Sequence, residues 1–349
     1  MSKFNWMVVT IKLILYLLKC LMIYEYKIKL YFMGIKHLNR YLTETCDNHA
    51  IKKIHLSKFS GKKIAVDASI YLYKFIGENK LIEYMYLMVS IFKNYGVEPI
   101  FIFDGASPPE KKELLDERRE NKRLAEKKYK SIKNQMEAVD DSEDKTEMMN
   151  EMEKLKKQFI YIKEADYKAV KQLLDDSGVH WIDAVGEADE LCAHLMHTGQ
   201  VYACLSEDMD MFAYGCCRVM RHFSLLKHNV LFYDLEQILC QLQMNVQEFR
   251  HVVVLSGTDY NKEDTTNLHD SVKWFWAYKR SIVLCEDAVQ PTFYEWLTRN
   301  TDYVKNQDAL NSTYKMFVKK NSIYNLPDEK KKENKERLIE LLGGDGFIF

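Results

Sequence analysis

The stretch VYACLSEDMDMF, residues 201–212, is an apolar run of strand length that breaks into Glu207, Asp208 and Asp210. A short apolar run bounded by polar turn residues reads as a buried strand. A buried carboxylate without a partner is costly, so acids at such a strand end must meet a cation, a hydrogen-bond donor or open water. The same scheme recurs. KKIAVDASIYLY (62–73) is an apolar run, then Asp67, then a helical pattern. VEPIFIFDGASPP (97–109) runs into Asp104 and a Gly/Pro turn. VHWIDAVGEADELCAHL (179–195) predicts a short strand, a loop and a helix starting near Gly186, with Glu187 and Asp189 in its first turn. VVVLSGTDYN (252–261) is a further apolar segment, ending in Asp259. Apolar runs alternating with helices predict an α/β fold with a central, mainly parallel sheet flanked by helices. In such a sheet the working site lies beyond the carboxyl ends of the strands. Four segments send an acid there and a fifth contributes from a helix start.

The bulk composition permits this plan. The chain has 349 residues, 47% of them apolar, which is enough for a large core, and a formal net charge of −1. Contact with a polyanion must therefore come from local patches. The eight cysteines form no CxxC pair, so they read as reduced thiols of an intracellular protein. No HExxH or paired His-Cys cluster suggests zinc. Residues 1–32 are apolar, but Lys12 and Lys19 interrupt them, leaving no run of roughly 20 apolar residues that could span a bilayer. They are expected to be an extension ahead of a functional start at Met33-Gly34.

Between Glu110 and about Lys163 there is no Gly or Pro and charge is dense. This predicts two long helices with a break, projecting from the core as an arch over about 105–165. Its first half is basic and its second acidic. Lys112, Arg119, Arg123, Lys127 and Lys130 follow steps of seven, four, four and three, which places them along one helical face. A charged helix face is ordinarily just solvated, but this one begins directly after an acid-bearing strand. Past residue 260, DSVKWFWAYKRSIVLCEDAV and DEKKKENKERLIELL (328–342) predict further helices.

Any one of the acids alone would read as a helix cap or surface turn. Together, Asp67, Asp104, Glu187, Asp189, Asp208, Asp210 and Asp259 converge on one end of the sheet. At 4 Å each like-charged pair repels by about 4 kcal/mol at an effective dielectric near 20. Hard divalent cations with oxygen preference, Mg²⁺ or Mn²⁺, are the natural counter-charge. Two such ions about 4 Å apart can clamp a phosphodiester.

The segments MGIKHLNRYL, IAVDASIYLYKF, FIFDGASPPEKKELLDERR, GEADELCA, SEDMDMFAYG and LSGTDYN agree jointly in order, spacing and chemistry. From Met33 to about residue 280 the chain resembles the flap endonuclease/XPG family of structure-specific 5′ nucleases, which have a PIN-like nuclease fold. The resemblance implies a two-metal hydrolase acting on DNA at flaps, nicks or branches in replication, repair or recombination. It implies that Asp104, Glu187, Asp189 and Asp208 hold one Mg²⁺ and that Asp208, Asp210 and Asp259 surround the other, with Asp67 acting through water. Lys112 and Arg119 match the family's basic pair that draws the scissile phosphate onto the metals, and Lys111 and Arg118 share their spacing. Arg123 and Lys127 would extend that contact with the substrate. Tyr73 matches an aromatic that stacks on the base beside the cut, though core packing would explain it equally. Gly34 matches a terminal glycine beside the active site, which a 32-residue extension would crowd.

The departures also carry information. Asp189 stands where cellular relatives commonly have Glu. After GTDYN the family runs into a glycine-containing hairpin that binds duplex phosphate with a potassium ion, whereas KEDTTNLHDSVKWF has no glycine. A degenerate duplex-binding motif is therefore expected in a helical region over 261–349, behind a nuclease domain over 33–260. QDALNSTY (307–314) is a poor sliding-clamp box, so no sliding-clamp partner is expected; replication or recombination proteins remain candidate partners. The drift elsewhere resembles divergent members from poxviruses and other large DNA viruses. That would place the protein at a cytoplasmic viral replication site, and a cellular origin would place it in the nucleus. The rival readings are a 5′→3′ exoribonuclease and a catalytically silent DNA-binding scaffold. The arch and GTDYN argue against the first, and the intact set of seven acids argues against the second.

Overall fold

The computed structural model describes residues 34–35, 37–136, 142–261, 267–283, 290–304, 306–318, 324–327 and 331–344. The expected extension over residues 1–32 lies outside them. After α1 (Leu38–Thr45) and β1 (Ile51–His55), the first acid-bearing unit forms as β2 (Lys63–Asp67) followed by α2 (Ala68–Gly77). Helix α3 (Leu81–Asn94) leads to β3 (Glu98–Phe103). Two long helices follow, α4 (Lys112–Met136) and α5 (Ser142–Lys156), then α6 (Glu164–Asp176), β4 (His180–Asp183) and α7 (Ala188–His197). Strand β5 (Ala203–Leu205), the single-turn α8 (Asp210–Ala213), β6 (Arg218–Arg221) and β7 (Asn229–Asp234) complete the sheet.

The seven strands run in the order β1-β7-β6-β5-β2-β3-β4. From β6 through β5, β2 and β3 to β4, every neighbour pairs in parallel. Only β7, between β6 and β1, is antiparallel to both neighbours. The fold is thus α/β around a mainly parallel sheet, as predicted. Ile64, Ala65, Val66, Phe101, Ile102, Cys204 and Leu205 are buried, because helices cover both faces of a parallel sheet. That is why the central strands read as unbroken apolar runs.

Beyond the sheet come α9 (Leu235–Leu242), α10 (Val246–Leu255), α11 (Leu268–Val283), α12 (Phe293–Asn300), α13 (Gln307–Met316) and α14 (Lys335–Gly344). One expectation is corrected here. VVVL (252–255), read as a further apolar segment sending its acid to the sheet edge, is the last turn of α10. Four β-branched or apolar residues in a row do not distinguish a strand from a buried helix end. Phe275, Phe293, Leu297, Leu310 and Leu338 belong to the same apolar cluster as the sheet, so the C-terminal helices share its core. Helices α4 and α5 differ: Ala125, Ile132 and Leu155 form a small cluster of their own, with Tyr129, Met148, Met152 and Phe159 packed against it. This helical pair stands on its own seam, away from the main core. No helix among the described residues is long and apolar enough to cross a membrane.

Candidate metal and phosphate site

The carboxyl ends of β2, β3 and β5 lie side by side, and each delivers one acid. Asp67 closes β2 and caps α2, accepting from the Ser69 amide at 3.1 Å. Its other oxygen accepts from the Ser206 hydroxyl at 3.1 Å, and the same hydroxyl reaches Asp189 at 3.4 Å. Asp104 follows β3 and accepts from the Ala188 amide at 2.8 Å, which ties it to the start of α7. That tie depends on Gly105: its amide donates to the Gly186 carbonyl at 2.8 Å, and a Cβ there would overlap the Ala184 and Val185 carbonyls. Glu187 and Asp189 therefore hang over Asp104 from the helix start. Asp208 accepts from the Asp210 amide at 2.8 Å. Asp259 reaches the cluster from the loop after α10.

Each carboxylate feels the others. Burial first, then Asp104 and Asp208, raise the Asp67 pKa well above the usual carboxylate range. Asp189 is raised by burial and then by Asp208 and Asp67, and Asp210 by burial and then by Asp208 and Asp259. Asp208 is pushed up to about 6 by burial and by Asp259. Asp210 is only 1% exposed, and neither of its carboxylate oxygens has a hydrogen-bond partner. A buried anion left this way is expensive.

Two basic side chains close the site, Lys111 from the 3-10 turn Pro109–Lys111 that leads into α4 and Arg118 from the start of α4 itself. The Lys111 ammonium pairs with Glu187 at 2.7 Å and lies 4.6 Å from the centre of the Tyr260 ring. Burial alone would lower its pKa, but Glu187, Asp210 and Asp208 outweigh that and raise it. The Arg118 guanidinium pairs with Asp259 at 2.9 Å. Gly34 sits against the same group in the left-handed region at φ 74°, where a Cβ would overlap Asp208 Oδ1 and Asp210 Oδ1.

All seven predicted acids, Gly34, Lys111 and Arg118 are thus brought together. Lys112 and Arg119 are not, and of the two registers left open by spacing the structure takes the other. Arg119 is 77% exposed and pairs with Asp116, whereas the Lys111 side chain is 9% exposed. The predicted stripe through Lys112, Arg119, Arg123, Lys127 and Lys130 is the outer face of α4. Arg123 pairs there with Glu120 and Lys130 with Glu126. Apolar content decides the face: Leu114, Ala125 and Ile132 are buried, and Lys111, Arg118 and Lys122 share their side of the helix. That signal was present in the sequence. Tyr73 is on α2, 37% exposed, with the Lys122 ammonium 4.8 Å from its ring centre, so it is not core.

Sequence reasoning assigned no role to Ser206, which bridges Asp67 and Asp189, or to Tyr260, whose hydroxyl donates to Glu187. Glu207 lies apart from the acids. It accepts from the His222 amide at 2.6 Å and pairs with the His222 ring at 3.0 Å. Burial would raise its pKa, but His222 outweighs that and lowers it.

The donor set suits Mg²⁺ or Mn²⁺: every candidate ligand is a carboxylate oxygen. As placed, no three His, Cys, Asp or Glu among the described residues are grouped to hold an ion. Lys111 and Arg118 take up part of the negative charge instead, and Asp210 is left without a partner.

The XPG N-terminal domain profile matches residues 33–125 and the XPG I-region profile matches residues 178–259. The chain belongs to the flap endonuclease/XPG family. Flap endonuclease 1 of Caenorhabditis briggsae is 30% identical over 247 residues, covering 65% of this chain and 61% of the relative. The human flap endonuclease 1 is 29% identical over 247 residues, covering 65% and 62%. The chain thus spans about three fifths of the length of these relatives. Among solved structures, the catalytic core of Rad2 in complex with DNA substrate superposes with a TM-score of 0.61 at 21% identity. That match covers 90% of this chain and 95% of the other, and it shows a shared fold.

Proposed function

We propose that this family member is a metal-dependent, structure-specific nuclease. It would hydrolyse DNA phosphodiesters at flaps, nicks or branches in replication, repair or recombination. The observation that supports this most is Asp210, buried and unpartnered among carboxylates whose pKa values their neighbours raise. A site kept so short of positive charge is built for cations. Two divalent ions, Mg²⁺ or Mn²⁺ in its place, would supply that charge and the Lewis acidity for displacement at phosphorus. Asp104, Glu187, Asp189 and Asp208 would hold one, Asp208, Asp210 and Asp259 the other, and Asp67 would act through water.

The chain's own residues do the remaining work. Lys111 and Arg118 stand ready to exchange Glu187 and Asp259 for the oxygens of a scissile phosphate and to stabilise the charge that grows there. Gly34 leaves room for the backbone to lie against Asp208 and Asp210. Tyr73 offers a stacking face at the edge of the site. The nuclease domain is assigned to 33–260 with its arch at 105–165. Residues 261–349 would make up a helical C-terminal region whose duplex-binding motif is degenerate; part of that motif, residues 262–266, lies outside the described residues. The affinity to viral members rests on the sequence departures alone, and with it the cytoplasmic location. The reading is tested with labelled flap, nicked and blunt DNA and with RNA, each with Mg²⁺ and with EDTA. Flap DNA should be cut with Mg²⁺ and left intact with EDTA. Full activity in EDTA, or cleavage of RNA alone, contradicts it.

A further inference from the structure

Behind the carboxylates, three aromatic side chains from distant parts of the chain meet edge to face, the arrangement that ring quadrupoles favour. Tyr214 follows α8, the turn that begins with Asp210; Tyr260 follows Asp259; and Phe317 ends α13. The centre of the Phe317 ring lies 5.0 Å from that of Tyr214 and 5.4 Å from that of Tyr260. Phe317 and Tyr214 are buried, so core packing accounts for their rings. It does not account for where the Tyr260 hydroxyl points. A buried tyrosine hydroxyl needs some partner, and that of Tyr214 is 3.4 Å away. Tyr260 nevertheless donates to Glu187, while the Lys111 ammonium lies over its ring. The loop holds Tyr260 there by its own bonds. The Asn261 side chain accepts from the Thr258 amide and hydroxyl at 3.0 and 2.6 Å and donates to the Val254 carbonyl at 2.7 Å. The Tyr260 amide donates to the Thr258 hydroxyl at 3.2 Å.

The two oxygens of Glu187 have different partners: Oε1 accepts from Lys111 at 2.7 Å and Oε2 from Tyr260. We propose that Tyr260 and Phe317 are positioning residues of the metal site. Tyr260 fixes Glu187 through its hydroxyl and Lys111 through its ring, and Phe317 props Tyr260 against both. Once Oε1 is given to an ion and Lys111 to a phosphate, the bond to Oε2 still sets the plane of the carboxylate. Outer partners of this kind orient a ligand and commonly govern metal affinity. The helices beyond residue 260 thereby complete a site whose seven acids all precede them, and α13 becomes part of the nuclease through one side chain. The inference rests on the reading of the acids as a divalent-metal site.

The experiment measures Mg²⁺ binding by calorimetry, the Mg²⁺ dependence of single-turnover flap cleavage, and the urea midpoint in EDTA. It compares the full-length wild type with Tyr260→Phe, Phe317→Leu and Phe293→Leu. Tyr260→Phe keeps the ring and loses only the hydroxyl. Phe293 is the control, a buried ring of the same C-terminal core that packs against Phe275, Tyr278 and Tyr294 instead of the tyrosine pair. Tyr260→Phe and Phe317→Leu should each weaken Mg²⁺ binding about tenfold, with a matching rise in the Mg²⁺ needed for half-maximal cleavage. Phe293→Leu should lower the urea midpoint as Phe317→Leu does and leave Mg²⁺ binding as in the wild type. Wild-type Mg²⁺ binding in either Tyr260→Phe or Phe317→Leu overturns the proposal. So does equal weakening by Phe317→Leu and Phe293→Leu, which would assign the effect to general loosening of the core. Should Phe317→Leu fail to fold, Tyr260→Phe alone decides. A wild type that neither binds Mg²⁺ nor cuts in its presence defeats the nuclease reading, and this inference with it. A wild type that does both, beside variants that match it, defeats this inference alone.

Discussion

Lys111 and Lys112 are neighbours in sequence with the same charge, yet one is buried against Glu187 and the other faces solvent. Function at this site is a matter of which side of a helix a residue occupies. Replacing Lys111 and Arg118 together by Ala should therefore slow single-turnover cleavage by at least a hundredfold, on the order of 3 kcal/mol of transition-state stabilisation. Replacing Lys112 and Arg119 should change it by less than threefold. The reverse order would restore the outer face as the working one. Gly34→Ala places a Cβ against two carboxylates in a left-handed backbone position, which costs about 1–3 kcal/mol. A urea melt should show that loss, together with slower cleavage. At this scale the sequence was legible wherever chemistry alone sets position. The seven acids and Gly34 sit at strand ends, helix starts and tight approaches that their neighbours dictate. It was not legible for the basic pair, because two registers one residue apart have identical spacing, and only the apolar residues between them, Leu114 and Ala125, tell inside from outside.

Among the elements, the helical pair differs from the rest. Strands β2 and β5 are buried on both faces, whereas α4 and α5 meet through Ala125, Ile132 and Leu155 alone among their buried residues. Local stability follows buried apolar contact. Amide hydrogen exchange should accordingly be faster over the described parts of α4 and α5 than over β2 and β5, with DNA slowing it in the helices. Equal protection in both would show that the pair is held by more than its own seam. The glycine-free, charge-dense run over 110–163 announced two helices, because nothing in it interrupts one. The three strand-then-acid units that became β2, β3 and β5 were legible for the same reason as their burial: unbroken apolar runs in strands covered on both faces. The run 252–255 misled because a short apolar stretch has no period of its own, and its helical register is set by the Asn245–Glu248 capping box upstream. Strands β1, β6 and β7 were not foreseen, since IKKIH, at the sheet's edge, and RVMR, inside it, mix charge with apolar residues.

At the level of the whole molecule, the carboxylate cluster sets stability against function. Asp67, Asp189, Asp208 and Asp210 all have pKa values raised in the folded protein. A carboxyl group with a raised folded pKa contributes stability that is fully present below its unfolded value and is lost as pH rises through the folded one. For Asp208 that window runs from the ordinary carboxylate range to about 6. Metal-free protein should therefore melt at a lower temperature at pH 8 than at pH 5.5, and Mg²⁺ should raise the melting temperature more at pH 8 than at pH 5.5. A melting temperature that does not respond to Mg²⁺ at pH 8 would mean that the acids do not bind it in the folded state. The most direct test of the account is single-turnover cleavage of labelled flap DNA by Asp208→Asn with Mg²⁺. The substitution keeps the side chain's shape while removing one charge and one hard ligand. Cleavage should fall about a thousandfold, on the order of 4 kcal/mol, while DNA affinity is kept or tightened and the metal-free protein melts at the same temperature or higher. Cleavage by Asp208→Asn at the wild-type rate would contradict the account, because it would remove the acid at the end of VYACL from the chemistry.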